Sequence, residues 1–529
     1  MLKNKLVSAE KAVLKIKDND VVTSSGFMMA VFPEEVFVAL EKRFLETGHP
    51  KNLTLLHAAG QGDWNMGGLN HIGYEGLTKR IIGAHFGEIP RIVKLIMENK
   101  IEAYNLPQGI ISQYFRHLAS KKPGLITHVG LETFVDPRVT GGKLNEMTKE
   151  DLVKVIEING NEYLHYNLPE VNIAIIRGTT ADLKGNISTE KESNILEIIS
   201  QAQAAKANKG IVIAQVERIV NCGFLKPQEI RVPGIYVDYI VVAKAENHRQ
   251  TLGNQYNPAF SGEKNVPVEN IEPLGIGIKK IISRRAAYEL FPYAVVNLGI
   301  GIPEGVSSIA NEEKVSDVIT LTIESGVIGG VPAWDYNFGA ASNCDAIIEQ
   351  PYQFDFYDGG GLDITFLGLA EIDGNGNVNV SKFAGDIPGC GGFINISQNT
   401  PRVIFCGAFT ASGLKVNIEN EKLIIKNEGK IIKFKNKVEH LTFNGHYAQK
   451  TGQHVIFVTE RAVFKLEKNG LTLIEIAPGV DIEKDIFAKM EFKPKVSKNL
   501  QLIDSIIFSD KNLGLKEKFL KIINSEGKW

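Results

Sequence analysis

Cysteine is scarce in this chain: Cys222, Cys344, Cys390 and Cys406 are the only four among 529 residues, and no two form a CxxC pair. Such spacing excludes a disulfide framework and a thiolate zinc site, and it predicts a reducing, cytoplasmic setting. Eleven histidines are present, but none stands in an HExxH or comparable ligand pattern, so no metal is expected. No apolar run reaches the ~18 residues that a membrane span needs. Net charge is −2 with no large block of one sign, which gives no footing for nucleic acid or an acidic membrane surface as partner. The opening stretch MLKNKLVSAEKAVLKIKDND carries charges throughout and lacks the apolar core of a secretory signal. A GxSxG elbow is also missing, which counts against a serine hydrolase.

What is present is ordinary in bulk. Apolar content of 43% and charged content of 23% are those of a globular protein, and 529 residues exceed one core, so two or more domains are expected. The two halves resemble each other. In the first, an amphipathic helix pattern from Ser8 to Lys17 precedes the strand Val21-Val22-Thr23, the turn Ser24-Ser25-Gly26 and a helix opened by Pro33-Glu34-Glu35-Val36. In the second, a helix face of Ile278, Ile282, Ala286 and Leu290 precedes Val295-Val296-Asn297, a turn at Gly299 and Gly301, and a helix start at Pro303-Glu304-Gly305-Val306. A further pair is VNIAIIRGTTADLKGNI from Val171 and LDITFLGLAEIDGNGNV from Leu362, each a buried strand, a small turn, an acidic Gly-Asn turn and another strand. Two ordered matches indicate a duplicated domain. The segment Glu246 to Pro273, broken by glycines and prolines, is expected to link units 1–245 and 274–529. Helical patterns alternating with short apolar strands predict an α/β fold of two duplicated units with mostly parallel sheets. In the C-terminal half, Leu423 to Phe434 and Val455 to Leu466 read as hairpins, so an antiparallel β segment is expected there.

The stretch VSDVITLTIESGVIGGVPA, from Val315, organises the rest. Ile319, Leu321 and Ile323 alternate along a strand that ends in Glu324-Ser325-Gly326, with Gly329-Gly330 and Pro332 beyond. A carboxylate at the end of an apolar strand, facing a glycine turn, can meet a ligand with little bulk around it. The loop NLGIGIPEG follows a strand and precedes a helix, so its backbone N–H groups can meet a phosphate or carboxyl oxygen. It is not GxGxxG, because the third glycine, Gly305, falls one residue late, and a nicotinamide or flavin fingerprint is weak. Gly389-Cys390-Gly391-Gly392 is a second bare-backbone loop, suited to an oxyanion. Asp358-Gly359-Gly360-Gly361 reads as a plain turn, and Gln108, in NLPQG, is a neutral donor and acceptor in another.

With these pieces in place the chain resembles the family I coenzyme A-transferases. It is nearest the acetate/propionate CoA-transferase branch and more distantly similar to succinyl-CoA:3-oxoacid CoA-transferases. The residues that carry the resemblance are NLGIGIP from Asn297, ESGVIGGVPA from Glu324, DFYDGGGLD from Asp355, GCGG from Gly389, NLPQG from Asn105 and RGTTADLKGN from Arg177. The resemblance implies a ping-pong transfer between an acyl-CoA and a short-chain carboxylate, through a glutamyl-CoA thioester. Glu324 matches the family's nucleophile, Gly392 its oxyanion-stabilising amide and Gln108 its active-site glutamine. Asn297 matches the asparagine beside the thioester, while Gly299, Gly301 and Gly391 fall in the stretches expected to line CoA. Coenzyme A is then substrate and covalent intermediate, no permanently bound cofactor is expected, and a homo-oligomer, dimer or tetramer, is implied. Departures from the family pattern are His57, where the 3-oxoacid enzymes carry asparagine, and Phe27-Met28-Met29-Ala30-Val31-Phe32, where further glycine is usual. If that loop lines the acyl pocket, Met28 and Met29 give it an adaptable apolar wall. Acyl-CoA hydrolysis through the same glutamate, and a CoA-binding sensor without turnover, are the alternative readings. Free CoA released without an acceptor would favour the first, while retention of both Glu324 and the glycine loops argues against the second, since a sensor needs the loops but not the nucleophile.

Overall fold

Short runs of aliphatic and β-branched residues, buried on both faces, form two mainly parallel sheets with helices packed against them. The computed structural model describes residues 5–267 and 273–526. The first sheet has seven strands, in the order Tyr239–Val242, Ile211–Val216, Ile173–Arg177, Val21–Ser24, Leu53–His57, Thr78–Gly83 and Glu102–Asn105. All of its pairings are parallel. Every residue of Ile173–Arg177 and Leu53–His57 is buried, as expected for central strands covered on both sides.

The second sheet has ten strands. Its parallel centre runs Thr320–Ile323, Val295–Leu298, Ile364–Gly368, Arg402–Cys406 and His454–Val458. This repeats the order of the first sheet, and the register repeats as well. Val22 pairs with Ile173 as Val296 pairs with Ile364, and Val21 pairs with Thr54 as Val295 pairs with Thr320. The acidic Gly-Asn turns match atom for atom. Asp182 Oδ1 accepts from the amides of Lys184 and Asn186, and Asp373 Oδ1 accepts from those of Asn375 and Asn377. In each turn the asparagine side chain, Asn186 or Asn377, donates to the other carboxylate oxygen.

The antiparallel segment is present, with one change of partner. His454–Val458 and Ala462–Glu467 form the expected hairpin, which Gly470–Ile476 extends. Leu423 to Phe434 does not fold on itself. Lys422–Asn427 pairs with the preceding Lys415–Glu419, while Phe434–Lys435 joins Glu371–Asp373 in parallel. A glycine between two apolar runs imitates a hairpin when the true partner lies upstream. Of the expected linker 246–273, residues 268–272 lie outside the described residues. The part before them packs against the second half: Thr251 and Asn254 both donate to Asn337 Oδ1, and the Val266 amide donates to Asn343 Oδ1.

The two halves share a core. Cys390 and Ile394 belong to the same buried cluster as Leu56, Ile82 and Ile110 of the first half. No described helix is long and apolar enough to cross a membrane.

Candidate active site

The carboxyl ends of the parallel strands in both sheets converge on one cavity of about 350 Å³. In open α/β sheets this is where ligands bind, because loops leaving the strands can spread around a crevice. Met28 lies just beyond Val21–Ser24, Gly60 beyond Leu53–His57, His85 beyond Thr78–Gly83, and Gln108 beyond Glu102–Asn105. From the second half come Asn297 and Gly299, Glu324, Gly368 and the loop 389–392. Phe27, Trp64, Phe338, Phe383 and Phe393 make much of the remaining wall.

Glu324 directly follows the strand Thr320–Ile323, and the chain then turns back as Val327–Ile328. The reversal needs glycine at 326, where φ is 105° and a Cβ would sit 2.1 Å from the Ile348 carbonyl oxygen. Burial pushes the Glu324 carboxyl up to about 7, while its own backbone amide, the Asn297 side chain and the His85 charge pull the other way. Asn297 is fully buried and held by its neighbours: Thr365 Oγ1 donates to its Oδ1 at 3.2 Å. Its Nδ2 reaches the Thr322 carbonyl at 3.4 Å and the Tyr357 hydroxyl at 3.5 Å. Tyr357 is itself fully buried and donates to Thr322 Oγ1 at 2.9 Å.

The glycine loop is stitched to the first half. The Pro388 carbonyl accepts from the Phe86 amide at 2.7 Å, the Gly391 amide donates to Ala84 at 2.8 Å, and the Cys390 amide donates to Asn105 Oδ1 at 3.0 Å. The Gln108 amide donates to the Gly391 carbonyl at 3.0 Å, placing its side chain beside that glycine. A Cβ on Gly391, whose φ is 51°, would lie 3.7 Å from Gln108 Oε1 and 3.8 Å from His85 Cδ2. Gln108 is nearly fully buried, yet its Nε2 has no partner among the described residues. The Gly392 amide, just before the helix Phe393–Asn399, donates to no acceptor among the described residues. Two donors without acceptors therefore stand at the wall of the cavity that holds Glu324. Burial raises the Cys390 thiol well above its ordinary range, so it stays protonated.

Glu324, Asn297, Gly299, Gln108, Gly391 and Gly392 all line the cavity. Gly301 does not; it forms the open turn before the helix Gly305–Glu312, with φ 88°. Met28 lines the cavity, whereas Met29 lines a separate one beside Phe32 and Arg177. His57 lies outside the cavity, fully buried, with its Nδ1 against the Ala59 carbonyl at 2.8 Å. Burial depresses its pKa to about 4, so the ring is neutral. Sequence reasoning missed His85 and Glu88, whose side chains meet at 2.8 Å in the wall. Burial opposes charge on the His85 ring, but Glu88, Glu324 and Asp386 outweigh it and raise its pKa. A histidine and a glutamate three apart, just after an apolar strand, were the available signal.

Comparison with known proteins places the chain. The sequence profile of the family described as coenzyme A transferase matches residues 6–243. The chain is 47% identical over 517 residues to the caffeate CoA-transferase of Acetobacterium woodii, covering 97% of this chain and 98% of that one. It is 42% identical to the acetate CoA-transferase YdiF of Escherichia coli K12, over 96% of each chain. It matches the crystal structure of the E. coli O157:H7 acyl-CoA transferase YdiF as a thioester complex with CoA, with TM-score 0.91 and 41% identity over 97% of each chain. The α/β architecture is thus the one found in that enzyme, and the chain belongs to the coenzyme A transferase family as an acyl-CoA transferase.

Proposed function

We propose that this enzyme is a short-chain acyl-CoA:carboxylate CoA-transferase of the acetate/propionate type, with Glu324 as its nucleophile. The observation that carries the reading is a carboxylate at a strand end, in the same largely apolar cavity as two donors without acceptors among the described residues. The ionised Glu324 attacks the acyl-CoA carbonyl, and the C–S bond breaks to give an acyl-glutamyl anhydride and CoA thiolate. The thiolate then attacks the glutamyl carbonyl and expels the first carboxylate, leaving a glutamyl-CoA thioester. A second carboxylate reverses both steps. Each exchange replaces one carboxyl derivative by another, so covalent catalysis divides a difficult transfer into nearly balanced ones. The Gly392 amide and the Gln108 side chain are suited to receive the oxyanion, and Asn297 to orient the Glu324 carboxyl. Apolar walls limit water, which would hydrolyse either intermediate.

Intact-protein mass spectrometry after mixing with acetyl-CoA or propionyl-CoA, followed by peptide mapping, tests this reading. A CoA adduct on the Glu324 peptide, discharged by a carboxylate, is expected. An unmodified protein releasing CoA without an acceptor would instead establish a hydrolase.

The aromatic lining and volume of the cavity favour a second reading of the acyl group, an aromatic propenoate such as the one named for the Acetobacterium relative. Comparing kcat/KM for acetate, propionate, butyrate and caffeate as acceptors separates the two. The same functional reading includes two domains, 1–245 and 274–529, supported by the repeated strand order. It also includes a cytoplasmic homo-oligomer, for which the four unpaired cysteines support only the compartment.

A further inference from the structure

The reaction brings a second carboxylate into a cavity that already contains Glu324 and Glu88. No lysine or arginine is among the described residues lining it, and His85 is the one side chain there able to carry positive charge. We propose that His85, braced by Glu88, is the cation that receives the carboxylate of the acceptor acid as that acid attacks the thioester on Glu324. The assignment rests on the reading of Glu324 as nucleophile.

Geometry gives His85 a free end. Its Nδ1 is engaged by Glu88 Oε2 at 2.8 Å, while Nε2 has no hydrogen-bond partner among the described residues. The His85 side chain is 32% exposed, against 8% for Glu88, so the ring meets the cavity and its carboxylate brace stands behind. Cδ2, bonded to the free nitrogen, is the ring atom nearest a Cβ placed on Gly391, on the side where Gln108 also stands. His85 and Gln108 therefore flank the glycine next to Gly392, the amide suited to the oxyanion.

Charge through the cycle explains why a fixed cation is useful here. In the free enzyme His85 faces Glu88, Glu324 and Asp386, and the neighbouring His57 is neutral. When Glu324 becomes a thioester it loses its charge, and His85 loses one of its partners. The vacated interaction is open to an incoming carboxylate, whose burial in an apolar cavity is otherwise strongly unfavourable. The acceptor oxygen bonds to the glutamyl carbonyl carbon, the C–S bond breaks, and one negative charge passes from carboxylate to CoA thiolate. No proton moves, so His85 keeps its own throughout. Neutral nucleophiles gain nothing from this device.

The test separates the two kinds of nucleophile. The CoA adduct is formed from acyl-CoA on the wild type, His85→Gln and Glu88→Gln, freed of small molecules, and discharged with either acetate or hydroxylamine above pH 7, where hydroxylamine is uncharged. Loss of a charge-assisted hydrogen bond predicts that His85→Gln slows acetate discharge roughly 10- to 100-fold. Hydroxylamine discharge is expected to stay within about twofold. Equal slowing of both, or of neither, overturns the assignment. In the wild-type enzyme carrying the adduct, acetate discharge should fall as pH rises and His85 loses its proton, although acetate itself stays ionised. A profile parallel to that of hydroxylamine overturns the assignment without any variant. If the wild type forms no adduct on Glu324, the functional reading falls and takes this one with it. If the adduct forms and the two nucleophiles behave alike, only the role of His85 falls.

Discussion

The ionisation of Glu324 sets a pH dependence that can be worked out in advance. In the proposed mechanism only the carboxylate form of Glu324 attacks the acyl-CoA, and burial lifts this group from the ordinary 4.5 to about 7. With a pKa near 7, about 9% of the groups are ionised at pH 6 and about 91% at pH 8, a rise of roughly tenfold. At the ordinary value the group would be almost wholly ionised across that range and the rate would be flat. Rapid mixing of enzyme with excess acyl-CoA, quenching in acid and mass analysis of the adduct gives the first half-reaction alone. Its rate should climb about tenfold from pH 6 to pH 8, with a midpoint near 7. Asn297→Ala sharpens the test. The Asn297 side chain favours the charged carboxylate, so its removal should move the midpoint upward and lower the rate at pH 7. A flat wild-type profile between pH 6 and pH 8, or a midpoint that falls in the variant, would refute the reasoning.

Other expectations follow from the same packing. Gln108→Ala removes a buried amide whose Nε2 has no partner among the described residues, so thermal stability should change little while kcat/KM falls roughly 10- to 100-fold. Gly109→Ala should destabilise the fold by about 1–3 kcal/mol in a denaturant titration, because its Cβ would lie 2.5 Å from Asn395 Nδ2 and 2.6 Å from Phe354 Cδ1. Met28→Gly should alter relative kcat/KM across two- to six-carbon acyl-CoAs, and Met29→Gly should not, since only Met28 lines the cavity. Glu197 is fully buried, and burial, aided by the Glu349 charge, lifts its carboxyl to about 8. A raised folded value stabilises fully below the ordinary 4.5 and loses that contribution as pH rises through about 8. The melting temperature of Glu197→Gln should therefore gain on the wild type as pH goes from 5 to 9.

Much of this site could be read along the chain, because its parts are local. The strand into Glu324 shows itself by β-branched alternation, and Gly326 by the turn it permits. The GCGG loop is visible as bare backbone. Its attachment to residues 84–87 is not, since a hydrogen bond spanning some three hundred residues leaves no mark in either sequence. His85 and Glu88 escaped for a related reason: on a loop there is no period to distinguish a side chain facing a cavity from one facing solvent. Met28 and Met29 part company because Met28 has φ 52° and Val31 φ 56°. Those left-handed residues lie in a tight turn, where no strand or helix period says which side chain meets which cavity. Gly301 looked like Gly299, yet two residues further along the turn it leaves the cavity wall.

The repeated register has a consequence for stoichiometry. Counting from the matched pairs Val21–Thr54 and Val295–Thr320, the residue in the first half that answers to Glu324 is Ala58. A methyl group thus stands at one of two equivalent strand ends and a carboxyl at the other. The first half has kept the frame and supplies walls, loop anchors and the His85–Glu88 pair to the cavity that holds Glu324. A protein built twice over should accordingly saturate at one covalent CoA per chain.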